Sequence, residues 1–190
     1  EIIKTGTTRQ AQYFLKTEKN KKLIVPLNRE TAEDEVWKEN FLEDFETLPK
    51  NVRDICEYGF LEMLNNAIDH SEGTGVVIKM EWATNAINIR IWDDGIGIFK
   101  KIKSALNLED ERESVLHLTK GKFTTDPEKH TGEGIFFTSQ AFDHFHVTSR
   151  GLSYLRNNQE RDWFVEKMKY SNIPGTRLCM AISLDSKRKL

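Results

Sequence analysis

The sequence predicts an α+β fold, a two-layer sandwich with helices on one face of a mainly antiparallel sheet. Three observations carry that expectation. Helical patterns over Thr31–Leu48 and Asn51–His70 come first, then the alternating segments Val76–Trp82 and Ala86–Trp92, and further strand patterns close the chain after a third helical segment. Helices and strands grouped in runs argue helices gathered on one face of an antiparallel sheet.

The first part, Glu1–Leu27, has β-leaning stretches at Tyr13–Leu15 and Leu23–Leu27 around the Lys/Glu/Asn-rich Lys16–Lys22, and reads as a hairpin or an arm. In Thr31–Leu48 the residues Val36, Trp37, Phe41, Phe45 and Leu48 recur at helical steps, and Pro49 ends the run. Asn51–His70 places Val52, Ile55, Cys56, Phe60, Met63, Leu64, Ala67 and Ile68 on one apolar face; Ser71-Glu72-Gly73 closes it, with Gly73 as the expected exit residue. The alternation of Ile87, Ile89 and Ile91 with Asn88 and Arg90, joined to Val76–Trp82 through Ala83-Thr84-Asn85, reads as an antiparallel pair. From Ile98 to Thr131 the chain is polar and partly helical, with Leu106, Leu108, Val115, Leu116 and Phe123 as scattered apolar anchors. A connection of that length is expected to be a lid. A helix over Gly134–Asp143 and strands over His144–Ser149, Asp162–Tyr170 and Thr176–Leu184 complete the reading. The expected division is an arm over residues 1–28, a ligand-binding domain over 29–186 and a tail over 187–190.

Composition bounds the function. A sequence of 190 residues, 38% hydrophobic and 31% charged, describes one ordinary globular domain. With 28 basic and 30 acidic residues the formal charge is −2, so no whole-surface field draws the chain to nucleic acid, and any such role belongs to domains outside it. Apolar runs such as Leu178–Ile182 fall far short of the ~20 residues of a membrane helix, so no membrane role is expected. Cys56 and Cys179 sit inside apolar patterns with no secretory leader, so the expected compartment is the cytoplasm. The start at Glu1 and the basic Lys187–Leu190 end suggest a piece of a longer protein.

Four short strings carry chemistry. Glu62, Asn66 and Asp69 stand at i, i+4 and i+7 and share one helix face, opposite the apolar one. The amide oxygen of Asn66 is a hard ligand of the kind Mg²⁺ takes beside phosphate oxygens, and Glu62 one turn away is placed to deprotonate a nucleophile. The same spacing also describes the solvated side of an amphipathic helix. In Asp93-Asp94-Gly95-Ile96-Gly97, the glycines Gly95 and Gly97 permit close approach of a planar ligand, and the Asp93 carboxylate accepts from an exocyclic amine such as that of adenine. An Asp-Gly turn is the plainer alternative. Gly132-Glu133-Gly134 precedes a helix whose first N–H groups suit a phosphate, or it is a structural turn. Gly175-Thr176 opens the last strand, with the Thr176 hydroxyl placed to reach a base through water.

Read in order, these strings resemble the ATPase superfamily of DNA gyrase, the MutL repair protein, a heat-shock chaperone and the histidine kinases, the GHKL or Bergerat fold. The N box is similar to Glu62–Ala67, the first glycine box to Asp93–Gly97, the second to Gly132–Gly134 and the third to Gly175-Thr176. The resemblance implies ATP and Mg²⁺ as cofactors, with Asn66 on Mg²⁺, Asp93 on adenine, and Gly95, Gly97, Gly132 and Gly134 shaping the phosphate pocket and its lid. The implied activity is ATP-binding signalling with slow hydrolysis or phosphoryl transfer and lid closure. A phosphoacceptor helix before the N box and the phosphate-sensing domain of gyrase-like members are both missing from the pattern. The run Pro49–His70, the stretch Leu116–His130 and the wing-like Gly6–Leu15 more closely resemble bacterial regulators that set this domain between a winged helix and a STAS-like domain, which implies a STAS-like or other regulatory partner domain. His70, four residues after Asn66, also resembles a feature of the anti-sigma-factor serine kinases, or is an exposed helix-end histidine favoured by the dipole. A serine/threonine protein kinase of that type is one alternative function, and a non-catalytic nucleotide sensor is the other.

Other constellations point less sharply. His144 and His146 alternate onto one strand face near Asp143 and His130, but no Cys or second acid sits at useful spacing, so a metal cluster is not expected. Trp37, Trp82, Trp92 and Trp163 read as core or sheet-edge aromatics. Lys120 and Lys122, inside the expected lid, are either γ-phosphate contacts or solvated lysines.

Overall fold

The computed structural model describes residues 2–5, 12–15, 17–28, 30–121, 133–168 and 173–190, with backbone alone up to residue 17. A short hairpin, β1 (Ile2–Thr5) with β2 (Gln12–Leu15), pairs Ile2 with Leu15. The remaining strands, β3 (Thr17–Pro26), β4 (Gly75–Ala83), β5 (Ala86–Asp93), β6 (His144–Ser149), β7 (Leu152–Asn157), β8 (Asp162–Lys167) and β9 (Thr176–Ser183), form one sheet in the order β3-β4-β5-β9-β6-β7-β8. Every pairing in it is antiparallel. The helices are α1 (Glu33–Asn40), α2 (Leu42–Phe45), α3 (Lys50–His70), α4 (Ile98–Leu106), α5 (Glu111–Lys120) and α6 (Gly134–Ala141). The α+β sandwich expected from the sequence is the observed architecture.

Register explains why one sheet face is apolar. Ile78, Ile91, Leu178, Val147 and Tyr154 stand opposite one another across five strands, and Met80, Ile89, Met180 and Phe145 form the next row. All nine are buried in one core with the helices. A one-residue slip would turn the whole set to the other face, so the alternation specifies the pairing. Helix α3 answers with Val52, Ile55, Cys56, Phe60, Met63, Leu64 and Ala67, all buried at three- and four-residue steps. Phe60 packs on the rings of Trp37 and Phe41 at 5.1 and 5.4 Å, and truncating such a fully buried aromatic to Ala costs about 3–5 kcal/mol. Gly59 lets α3 pass close to Phe142, because a Cβ there would overlap the Phe142 ring.

Several elements differ from the sequence reading. The single helix expected over Thr31–Leu48 breaks at Phe41, whose φ of −128° is not helical. The break buries Trp37, Phe41 and Phe45 together and leaves the Asn40 carbonyl to Lys21 Nζ at 2.7 Å. Glu72, at φ 58°, makes the left-handed exit from α3 in place of Gly73. Gly73 is required for a different reason, since a Cβ there would overlap Asp94 Oδ1 and stand 2.9 Å from Gly95 N. Strand β7 was not expected, because Leu152–Asn157 follows β6 through a two-residue Arg150-Gly151 turn too short to separate two patterns. The sharpest difference lies in Ile98–Thr131. Its first part is no scattered-anchor lid: α4 and α5 bury Phe99, Ile102, Val115 and Leu118, and Ser114 Oγ donates to Phe99 O at 2.9 Å. Phe123 lies outside the described residues.

Candidate functional site

Strand β5, between β4 and β9, ends with Asp93, and the turn that follows is folded by that side chain. Asp93 Oδ1 accepts from Gly95 N at 2.9 Å and from Thr176 N at 3.1 Å, so the first glycine string and the start of β9 meet at one carboxylate oxygen. Burial holds the Asp93 carboxyl above the ordinary carboxylate range, against the opposing pull of the Gly95 and Thr176 donors. Gly175 makes the approach possible: at φ 79° its α-carbon lies against the Asp93 carbonyl, where a Cβ would overlap the oxygen. Thr176 Oγ1 accepts from Ile98 N at 3.0 Å, tying the first turn of α4 to the same place. Gly97, at φ 88°, precedes that helix, and a Cβ there would overlap Ser149 Oγ, itself donating to Gly175 O at 2.9 Å.

Asp94 is turned away from this cluster. Its Oδ2 accepts from the Thr74 hydroxyl at 2.6 Å, and its Oδ1 from Thr74 N and Gly75 N at 2.7 and 3.0 Å. The Thr74 hydroxyl first, then the Gly75 N–H, hold its carboxyl below the usual range. It stitches the loop before β4 rather than facing a ligand.

The helical string joins from α3. Ser71 O, at the C-terminus of α3, accepts from Ile96 N at 2.8 Å, and Gly95 packs so closely on that carbonyl that a Cβ would overlap it. Earlier in the same helix, Asn66 Nδ2 donates to Glu62 O at 2.7 Å, which commits the amide nitrogen to the backbone. The Glu62 carboxylate lies directly against Gly134, where a Cβ would overlap Oε2. The Tyr58 hydroxyl, hydrogen-bonded to Glu62 from one turn before, is pushed up to about 12 by burial first and then by the Glu62 charge. Tyr58 was not singled out in the sequence; its signal was its i, i+4 place before Glu62. Asp69 is exposed at the last turn of α3.

At the start of α6 Glu133 holds the N-cap position, and its own side chain makes no capping hydrogen bond. Such a terminus presents donors and a positive dipole end to an anion. Gly121, at φ 63° after α5, packs against the Phe136 side chain, which brings the exposed Lys120 alongside the same helix. Gly132, Lys122 and His130 lie outside the described residues. The histidines of β6 belong to a different place: His146 Nε2 pairs with Ser153 Oγ at 2.6 Å and Thr148 Oγ1 at 3.0 Å, on the sheet. No cluster of three metal-ligating side chains occurs among the described residues.

Three separate stretches of chain thus gather about the C-terminal half of α3: the end of β5 and the start of β9, joined at Asp93, and the start of α6, against Glu62. That arrangement belongs to a two-layer α+β domain. The family profile of the histidine kinase-like ATPase domain matches residues 33–155, and the chain belongs to that family. The match spans α1 to β7, the candidate residues from Glu62 to Gly134 included, and makes this an ATP-binding type of domain. No curated protein matches the chain. Among the described residues no helix is long and apolar enough to cross a membrane.

Proposed function

We propose that the chain binds Mg-ATP at this site and processes it slowly, by hydrolysis or phosphoryl transfer, as a cytoplasmic signalling domain whose lid closes on the nucleotide. The observation that supports this best is the convergence of the four strings, with the Glu62 carboxylate against Gly134 and Asp93 Oδ1 holding Gly95 and Thr176. The donor set suits the ligand. Asp93 accepts from the adenine amine, which guanine replaces with an acceptor oxygen; Gly95 and Gly97 keep side chains out of the base's path; Thr176 completes the base end. Asn66 offers its amide oxygen to Mg²⁺, and Asp69 adds a carboxylate on the same helix face. Gly134 presents its N–H to the phosphates, and Gly132 precedes it in the same string. Bound magnesium supplies charge neutralisation at the phosphate oxygens. Glu62 orients and deprotonates the nucleophile, and its place against Gly134 puts that base beside the phosphate end. The output partner is a STAS-like or other regulatory domain.

One observation favours a purely sensing role: the Glu62 carboxylate is already engaged by Tyr58. Incubation with γ-labelled ATP, with and without a STAS-like partner domain, separates the readings. Free phosphate marks an ATPase, labelled partner a protein kinase, and tight binding with neither marks a sensor.

A further inference from the structure

Helix α6 begins at the proposed phosphate end of the site and is only eight residues long, about 12 Å. What fixes its far end therefore fixes its near end. No basic residue occupies its own last turn. Two side chains from elsewhere take its terminal carbonyls instead. Asn158 Nδ2 donates to Ser139 O at 2.7 Å and Phe142 O at 2.8 Å, and Arg188 donates to Gln140 O at 3.2 Å.

Arg188 does more than cap. Its Nε donates to Asp143 Oδ1 at 2.8 Å and a terminal nitrogen donates to Asn158 O at 2.8 Å, so one guanidinium binds the helix end, the carboxylate just after it and the residue that also caps it. The Asp143 side chain is only 8% exposed, and its other oxygen accepts from Ser183 N at 2.8 Å. From the opposite side, Asn51 Nδ2 in the first turn of α3 donates to Ser186 O at 2.7 Å and Arg188 O at 3.0 Å. Residues 186–188 thereby bridge the end of α6 to the start of α3. These are the two helices that bring Gly134 and Glu62 together. The bridge is reachable, since Arg188, Asp143 and Ser183 line an open depression of about 400 Å³.

We propose that Arg188 is a positioning residue for the phosphate end of the nucleotide site, and that residues 186–188 act as a latch through which displacement of the C-terminal segment weakens phosphate binding while sparing the base. The selectivity follows from topology. The base end is built around Asp93 by the end of β5 and the start of β9 at Thr176, whereas the latch meets β9 at its opposite end, Ser183. The phosphate end sits at the start of α6, and a short rigid helix carries a shift at one end to the other. Small displacements at a site of oriented donors have large effects.

This inference rests on the ATP-site reading above, and the test separates the two. Affinities of the full chain for Mg-ATP and for adenosine are measured by calorimetry in the native protein, Arg188→Ala, Arg188→Lys and Asn51→Ala. The expected result is a roughly tenfold loss of Mg-ATP affinity in Arg188→Ala, the scale of one charge-assisted hydrogen bond, with adenosine affinity unchanged. Arg188→Lys recovers part of the loss, because lysine keeps the charge but not the fork that joins Asp143 to two carbonyls. If Arg188→Ala does not fold, Asn51→Ala, which cuts only the tether to α3, carries the same selective loss. Equal losses for both ligands, or none for either, in whichever of the two variants folds overturn the latch alone. A native protein that binds ATP no better than adenosine overturns the site reading and the latch with it.

Discussion

Replacing Asp93 by Asn changes one atom at the point where two glycine strings meet, and its consequences can be worked out on both the fold and the ligand. Asn keeps an oxygen for the Gly95 and Thr176 donors, now 2.9 and 3.1 Å from Oδ1, so the turn survives. The other oxygen becomes an amide donor facing the adenine amine, and the charge is lost. A hydrogen bond to a charged group contributes about 1.5–3 kcal/mol, so Mg-ATP affinity should fall roughly 10- to 150-fold. Stability should move the other way. Burial raises the carboxyl's pKa in the folded state above its unfolded value of 3.8, so ionisation opposes folding at any pH above the folded pKa. That penalty disappears as pH falls through the raised pKa. Ligand-free Asp93→Asn should therefore melt no lower than the native protein at neutral pH, and any advantage should shrink on acidification. In the native protein, affinity for adenosine, which has no phosphates to titrate, should fall over the same acidic window. Calorimetry and thermal melts at several pH values read all of this. Unchanged ATP affinity in the variant, or equal affinity of the native protein for GTP, would refute the assignment of Asp93.

Three further substitutions test other parts of the site. Glu62→Ala should leave Mg-ATP binding nearly intact while lowering turnover by roughly 10²–10⁴-fold, and equal loss of binding in a titration would end its role as a base. Asn66→Ala should remove the Mg²⁺ dependence of nucleotide affinity, read by titrations with and without the metal; a dependence that persists assigns the metal elsewhere. Gly175→Ala places a side chain at φ 79° against the Asp93 carbonyl, so denaturant midpoints should report a loss of about 1–3 kcal/mol or more, and a neutral result would contradict the close packing there.

Local pattern was enough for much of this fold. The apolar steps of α3, the alternation of β4 and β5 and the positions of the glycine strings are each set by residues a few places apart, so they are visible in one dimension. The remainder depends on contacts distant in sequence. Nothing near Glu72 says that it, not Gly73, turns left-handed, and what requires a glycine at position 73 is Asp94, just past the far end of β5, which occupies the space a side chain there would need. The scattered apolar residues of Ile98–Thr131 look like loose anchors until α4 and α5 fold against each other and bury Phe99 and Val115. Asp93 and Asp94 are indistinguishable as a string, and only Thr74 and Thr176 separate a loop stitch from a site carboxylate. Arg188 lies in what reads as a plain basic tail, yet the partners of its guanidinium are 30 to 48 residues away.

The central claim is that the end of β5, the polar face of α3 and the start of α6 form one nucleotide site. Hydrogen exchange with and without a non-hydrolysable ATP analogue tests it most directly, by following residues 93–98, 62–66 and 134–137 in the same experiment. One site predicts slowed exchange at 93–98 and 134–137 together, at the same half-saturating nucleotide concentration. Protection of one stretch without the other, or of neither, would contradict it.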